Sequence, residues 1–251
     1  MTRTAIILTG ASRGLGAALA RALAGADTLL VTVSRRPDPS LADWVAQRGG
    51  ALRQIAADLS DPDAAAHAAR EAAGALPSGA ARYRLVNNAG MLQPVARAES
   101  LDDARAVAQA LNLNVGAAIA MTAAFLRATP PGGADRRVLN ISSGAARHPY
   151  AGWHVYCASK AALDMYTRTL RLEQGATGLR AVSLAPGVID TDMQAAIRAA
   201  DPQAMPARPR FVDLHARGEL PPAGHVAARL AAYLERADFG EQDLDDLRQA
   251  G

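Results

Sequence analysis

Thr4-Ala5-Ile6-Ile7-Leu8-Thr9-Gly10-Ala11-Ser12-Arg13-Gly14-Leu15-Gly16 is the stretch that decides the fold. Its first six residues form an apolar run of strand length. Three glycines follow at once. Leu15, Ala18, Leu19, Ala22 and Leu23 then recur at i, i+3, i+4, i+7 and i+8, one apolar helical stripe. A strand that passes through glycines into a helix is built to approach a pyrophosphate. Glycine has no side chain to hold the backbone away, and the helix N-terminus presents free N–H groups.

The alternation continues along the chain. Thr28–Val33, Leu52–Ala57, Tyr83–Asn87, Arg137–Ile141 and Arg180–Leu184 read as buried strands, with alanine-rich helical patterns between them. This predicts the α/β class, a parallel sheet with helices on both faces. No repeat or linker divides the 251 residues, a length that one α/β domain commonly reaches. Gln194–Pro222 departs from the pattern. Pro202, Pro206, Pro209, Pro221 and Pro222 oppose long regular elements there.

Half of the residues are apolar and the formal net charge is +3, which excludes a disordered chain. The basic residues are scattered and aromatics are few, so no nucleic-acid partner is expected. The single cysteine, Cys157, excludes an intramolecular disulfide framework and fits a reducing compartment. It reads as a small packing residue. No HExxH or paired-cysteine spacing suggests a metal site, and the five histidines read as structural or solvent-facing. Ala5–Leu8 is too short for a signal peptide, and Val115–Leu126 is too short to span a bilayer. The expectation is a cytoplasmic protein without a membrane partner.

Tyr156-Cys157-Ala158-Ser159-Lys160 sets a phenol and an ammonium four residues apart, on one face of a helix. A free phenol has a pKa of about 10. A neighbouring cation favours the phenolate and lowers that value. The pair is thus expected to be a tuned proton donor, the kind a carbonyl reduction needs. Lys160 is the only lysine among 27 basic residues.

The second strand ends on Ser34-Arg35-Arg36. An NAD site of the strand–glycine–helix kind usually carries an acid there, on the ribose 2′-hydroxyl. A carboxylate would repel a 2′-phosphate, whereas a guanidinium pairs with one in a bidentate fork. Arg35, helped by Arg13 from the glycine loop, therefore points to NADP(H).

The glycine stretch, Asn87-Asn88-Ala89-Gly90, Asn140-Ile141-Ser142-Ser143-Gly144, the Tyr156–Lys160 pair and Pro186-Gly187-Val188-Ile189-Asp190-Thr191 occur in that order. Together they resemble the short-chain dehydrogenase/reductase family over nearly the whole chain. The resemblance implies a Rossmann-type doubly wound sheet in one domain, residues 1–251, with a substrate lid at 194–222. It implies that Gly10, Ser12, Arg13, Gly14, Leu15 and Gly16 hold the pyrophosphate side of the cofactor. Asp58 and Leu59 would contact adenine. Asn88, Ala89 and Gly90 would form the ribose-side turn. Pro186, Gly187, Ile189 and Thr191 would hold the nicotinamide carboxamide.

The resemblance also assigns catalysis to Ser143, Tyr156 and Lys160, and family spacing selects Ser143 over Ser142. Ser143 and Tyr156 would donate to the oxygen on which negative charge grows. Lys160 would lower the tyrosine pKa and bind the nicotinamide ribose. A helix asparagine, Asn114 in preference to Asn112, would hold a water that relays protons to the lysine.

Pro149 to Cys157, Ala161 to Met165 and Asp190 to Gln194 are similar to sepiapterin reductases and to bacterial diketone reductases of the benzil-reductase type. This implies a small-molecule carbonyl substrate, with Trp153 lining the pocket or packing in the core. Met193, Met205 and Phe211 would supply a flexible lid. A gapless alignment through Gly218, Leu220, Leu230, Leu234 and Phe239 puts Asp246 where sepiapterin reductases anchor the pterin. Asp243 and Asp245 compete for that place, and the rival reading is that Glu241 to Asp246 is a solvated acidic tail. The family pairs its fourth and fifth helices, here Leu101–Arg127 and Val155–Gln174, in a homodimer or homotetramer. The expected activity is NADPH-dependent reduction of a ketone or vicinal diketone. Oxidation of an alcohol and non-catalytic dinucleotide sensing are the rival functions.

Overall fold

The computed structural model describes residues 3–129 and 131–249. Seven parallel strands form one sheet: β1 (Thr4–Thr9), β2 (Thr28–Ser34), β3 (Ala51–Ala56), β4 (Arg82–Asn87), β5 (Asp135–Ile141), β6 (Leu179–Ala185) and β7 (Leu244–Asp246). Their order across the sheet is β3-β2-β1-β4-β5-β6-β7. Six strands match the sequence-predicted runs within two residues at each end. Successive side chains alternate between faces. Ile6 and Leu8 of β1 enter one core, with Leu19 of α1 (Gly14–Leu23), Leu41 of α2 (Ser40–Ala46) and Leu230 of α9 (Ala223–Glu235). Ala5 and Ile7 enter the other, with Ala69 of α3 (Pro62–Gly74), Phe125 of α5 (Ala117–Ala128) and Leu170 of α6 (His154–Gln174). The helices therefore cover both faces, as expected. Only the edge strand β3 alternates exposed and inward residues, because one of its faces is wet.

The chain leaves β1 to one side and returns through β4 on the other. That reversal opens a crevice beyond the carboxyl ends of β1 and β4, where open α/β sheets bind ligands.

The structure corrects or completes the sequence reading at several points. The buried centre of α1 is Gly16, Leu19 and Ala20, while Ala22 is exposed. Gly16 sets that rotation, since a Cβ on it would fall 1.8 Å from the Gly10 carbonyl oxygen. The fourth helix is not uniform: α4 (Ala104–Leu111) runs into a π-helical turn at Asn112–Gly116 and then into α5. Its start is fixed by Asp103, whose carboxylate accepts from Ala106 N at 3.0 Å. The whole run, Ala104–Ala128, is long and apolar enough by length and composition to cross a membrane, unlike the shorter stretch read from sequence. Here Met121 and Phe125 bury its inner face in the core.

The proline-rich segment holds two short helices, α7 (Asp192–Arg198) and α8 (Arg208–Ala216). Pro209 sits in the first turn of α8, where a missing N–H costs no helical bond. Finally, Glu241 to Asp246 is no solvated tail. Leu244, Asp245 and Asp246 pair with Ser183, Leu184 and Ala185 of β6.

Candidate active site

The glycine loop and the turn after β4 interlock. A Cβ on Gly10 would lie 2.8 Å from Ala89 Cα. Asn88 Nδ2 donates to the carbonyls of Thr9 (3.0 Å) and Gly10 (3.2 Å), and Thr9 Oγ1 accepts from Asn88 N and Ala89 N at 3.0 Å each. Gly10 and Gly14 have φ of +72° and +53°, a region open to glycine without strain. A Cβ on Gly14 would come 3.5 Å from Thr191 Cγ2, so the loops after β1 and β6 face each other. Leu15 packs its side chain into the core below, and Ser12 is exposed. The N-terminus of α1 has no side-chain cap and no acid in its first turn. Its N–H groups are free for an anion, and the glycines leave room for one, so this loop fits a dinucleotide pyrophosphate.

At the far end of the crevice Arg35 and Arg36 are exposed, and among the described residues their side chains make no hydrogen bond. Asp58 lies within electrostatic range of Arg35. The Ser60 hydroxyl and N–H hold its carboxyl below the usual range, at 2.7 and 2.9 Å. Leu59 is buried, and its carbonyl accepts from Asn112 Nδ2 at 3.1 Å. Arg13 leans the other way, with Nη1 3.8 Å from Asp192 of α7.

The first turns of α6 carry Tyr156, Ser159, Lys160 and Asp164 on one buried face. Ser143 stands at the carboxyl end of β5, where its Oγ accepts from Ala145 N at 3.1 Å, close enough to the Tyr156 phenol to favour its ionised form. Ser142 donates instead to Asp164 at 2.6 Å, as does Ser183, while Arg147 pairs with the other carboxylate oxygen at 3.2 Å. Lys160 Nζ donates to the Ile141 carbonyl at 2.9 Å and lies 5.8 Å from the Tyr156 ring centroid. Asn114, in the π-helical turn, accepts from Met91 N (2.8 Å) and donates to Met91 O (3.0 Å) and Ser159 Oγ (2.9 Å). A Cβ on Gly90 would lie 3.2 Å from Asn114 Oδ1 and 3.6 Å from Lys160 Nζ. Gly90 thus keeps the asparagine and the lysine close. π turns often mark functional positions.

The electrostatics differ from the sequence expectation. Burial pushes the Tyr156 phenol up, and Ser143, not the charge of Lys160, works against it. Burial also pushes Lys160 down to about 8, with Asp164 opposing.

Above Tyr156 lies an apolar cluster. Trp153 meets the Tyr156 ring edge-on at 5.6 Å, Tyr150 at 5.0 Å and Phe211 at 5.4 Å. Met205, Ile197 and Leu92 complete it, so the 194–222 segment covers the phenol. Trp153 Nε1 is buried without a hydrogen-bond partner. Met193 is outside this cluster and exposed, because the inner face of the seven-residue α7 is Gln194 and Ile197. Cys157 packs against the cluster, and all five histidines are exposed.

Pro186 and Gly187 follow β6, Ile189 is buried, and Thr191 caps α7 by accepting from Gln194 N at 3.4 Å. Asp246 reaches this side of the sheet, but both its oxygens are taken by Arg248. Sequence reasoning named neither Arg248 nor Asp164. Arg248 pairs only two residues away, within a stretch that reads as an acidic tail, and the partners of Asp164 lie 17 to 22 residues from it.

The family model for short chain dehydrogenases matches residues 4–202. A benzil reductase ((S)-benzoin forming) from Bacillus cereus is 31% identical, over 95% of this chain and 97% of its own. Sepiapterin reductase from Bos taurus is 35% identical, over 94% and 91%. The crystal structure of the KRED1-Pglu enzyme superposes with a TM-score of 0.77 at 30% identity, over 95% and 99%.

Proposed function

Since the chain belongs to the short-chain dehydrogenase family, whose fold binds a nicotinamide dinucleotide, we propose that it is an NADPH-dependent carbonyl reductase acting on ketones or vicinal diketones. The observation that carries this reading is the buried Tyr156 phenol at the carboxyl end of the sheet, with Lys160 Nζ 5.8 Å from its ring and Trp153 roofing it edge-on. The names of the benzil and sepiapterin reductase relatives support a carbonyl substrate.

The N-terminus of α1 with Gly10 to Gly16 would hold the pyrophosphate, Arg35 the 2′-phosphate, and Asp58 and Leu59 the adenine. Asn88 to Gly90 and Lys160 would hold the ribose side, and Pro186 to Thr191 the carboxamide. When bound, NADPH supplies a hydride to the carbonyl carbon. The Ser143 hydroxyl and Tyr156 phenol donate to the carbonyl oxygen as charge grows there, and Tyr156 releases its proton to that oxygen. Lys160, beneath the phenol, places a positive charge near the tyrosinate that remains. Asn114 is fixed by three hydrogen bonds, which suits it to hold a relay water. The cluster of Trp153, Met205 and Phe211 excludes bulk water.

A phenol pushed up by burial stays protonated at neutral pH, which favours reduction over alcohol oxidation. A dinucleotide sensor would not need the buried Tyr156 and Lys160. Exposed Ile119 on α5 and Met165 and Leu172 on α6 support a homodimer or homotetramer through these helices. The free Cys157 fits a cytoplasmic setting. The test is oxidation of NADPH, and of NADH for comparison, with benzil as substrate. Absence of turnover on benzil and on a panel of other ketones would reject the reading.

A further inference from the structure

Arg248 lies beside the carboxamide loop at the rim of the aromatic cluster. A Cβ placed on Gly187 would sit 3.4 Å from its Cγ and Cδ, so its stem lies flat on that loop. The guanidinium is pinned by Asp246. Oδ1 accepts from Arg248 N (3.0 Å) and Nε (2.9 Å), and Oδ2 accepts from Nη2 at 2.5 Å. The carboxylate is hidden, with 11% of its side chain exposed, whereas the arginine side chain is 57% exposed. The pair therefore turns its cation outward. Nη1 makes no hydrogen bond among the described residues and keeps both its N–H groups for a ligand.

A second guanidinium stands nearby. Arg210 of the lid helix α8 donates from Nη1 to Tyr150 Oη at 3.2 Å. Arg248 lies within electrostatic range of the same phenol. Tyr150 packs on Trp153, and Trp153 packs on Tyr156. Two ring contacts thus separate the proton donor from Tyr150, the phenol that Arg210 binds, and the acid beside Arg248 is already satisfied. An open Asp246 would accept from a ligand with two adjacent N–H donors. This arrangement offers donors and positive charge instead.

We propose that Arg248, oriented by Asp246, is a specificity-determining residue that selects carbonyl substrates bearing a carboxylate. The proposal rests on the carbonyl-reductase reading above and adds the substrate class to it.

The test compares kcat/KM with NADPH for benzil and for benzil carrying one para-carboxylate, at low ionic strength. The wild type should prefer the carboxylated compound by roughly tenfold, the scale of one charge-assisted hydrogen-bonded pair. Arg248→Gln should remove most of that preference, and Arg248→Lys should restore part of it. A purely structural arginine would change both substrates by the same factor and leave the ratio intact. No preference in the wild type, or a preference that survives Arg248→Gln, would overturn the proposal. If Arg248→Gln fails to fold, raising the salt concentration on the wild type gives the same readout. The preference should then collapse while benzil turnover persists, and a salt-insensitive preference would count against the proposal. If neither compound oxidises NADPH, the carbonyl-reductase reading itself falls, and this proposal with it.

Discussion

Ser142 and Ser143, neighbours at the end of β5, reach two different points on the same buried face of α6. Ser142 donates to the buried Asp164 at 2.6 Å, and Ser143 turns toward the Tyr156 phenol instead. Adjacent residues on extended backbone point to opposite faces, so only one of the two serines can reach the phenol. The Asp164 bond gives Ser142 a different task. With Ser183 and Arg147 it ties α6 to β5 and β6, and this fixes where Tyr156 stands.

Tyr156→Phe should abolish most turnover while leaving NADPH binding nearly intact. The ring keeps its edge contact with Trp153, and Lys160 keeps its bond to Ile141 O. Loss of general-acid catalysis costs about 10²–10⁴-fold in rate. Steady-state kinetics with a diketone, together with fluorescence titration of NADPH, would check both halves. A variant with near-wild-type kcat would show that another group delivers the proton.

Arg35→Asp should shift cofactor preference from NADPH toward NADH. The exposed guanidinium makes no hydrogen bond within the described protein, so its replacement disturbs little of the fold. A carboxylate there repels a 2′-phosphate and accepts from a 2′-hydroxyl. The ratio of kcat/KM for the two cofactors is the measurement, and a wild type that already prefers NADH would contradict the assignment.

Asp135 should prove a stability residue far from the chemistry. At the amino ends of β4 to β6 it pairs with Arg84 (2.7 Å), Arg180 (2.7 Å) and Arg137 (3.0 Å). Burial pushes its carboxyl up, but the hydrogen bonds from Arg180 and Arg137 and the charge of Arg84 outweigh that and hold it far below the ordinary range. A depressed folded pKa means that the stabilisation is complete above the unfolded value of about 3.9 and is lost as pH falls below it. Asp135→Ala leaves the fully buried Arg84 with Glu235 as its carboxylate partner, beside two backbone carbonyls, and should cost roughly 3 kcal/mol at neutral pH. Denaturant midpoints at pH 7 and pH 3 should therefore differ less in the variant than in the wild type. An equal acid sensitivity would place the titrating group elsewhere.

What the sequence made legible was local. The glycine loop and the first six strands are contiguous runs whose pattern carries their own warrant, and Tyr156 and Lys160 share a face because four residues are about one turn. The features that escaped it depend on long-range pairing. β7 is three residues, two of them aspartates with poor strand propensity, and it exists because β6 offers a free edge. The buried ladder from Asn87 to Asn140 to Thr167 reads in sequence as three unrelated polar residues. The Asp246–Arg248 pair sits within a stretch that composition alone marks as an acidic tail. Met193 stays out of the aromatic cluster because a short helix rotates Gln194 and Ile197 inward instead.

Lys160 supplies the last test, because burial should make one lysine act in opposite senses on activity and on stability. Its ammonium is buried and pushed down to about 8, against an ordinary 10.5. Between those values the unfolded chain holds the proton more firmly than the folded one. Stability contributed by this residue therefore rises with pH from about 8 to 10.5. Below pH 8 both states are protonated and the full cost of the buried charge remains, roughly 3 kcal/mol for a shift of this size. Lys160→Met keeps the stem and removes the charge. The stability difference between wild type and variant, from denaturant midpoints, should move in favour of the wild type as pH goes from 7 to 10. Reduction should follow the opposite course, since the charge near the tyrosinate is lost over the same range. The kcat/KM of the wild type should fall as pH rises past about 8, the value at which Lys160 deprotonates. A wild type that loses stability relative to Lys160→Met over that range would show that the lysine is not a buried cation in the folded protein.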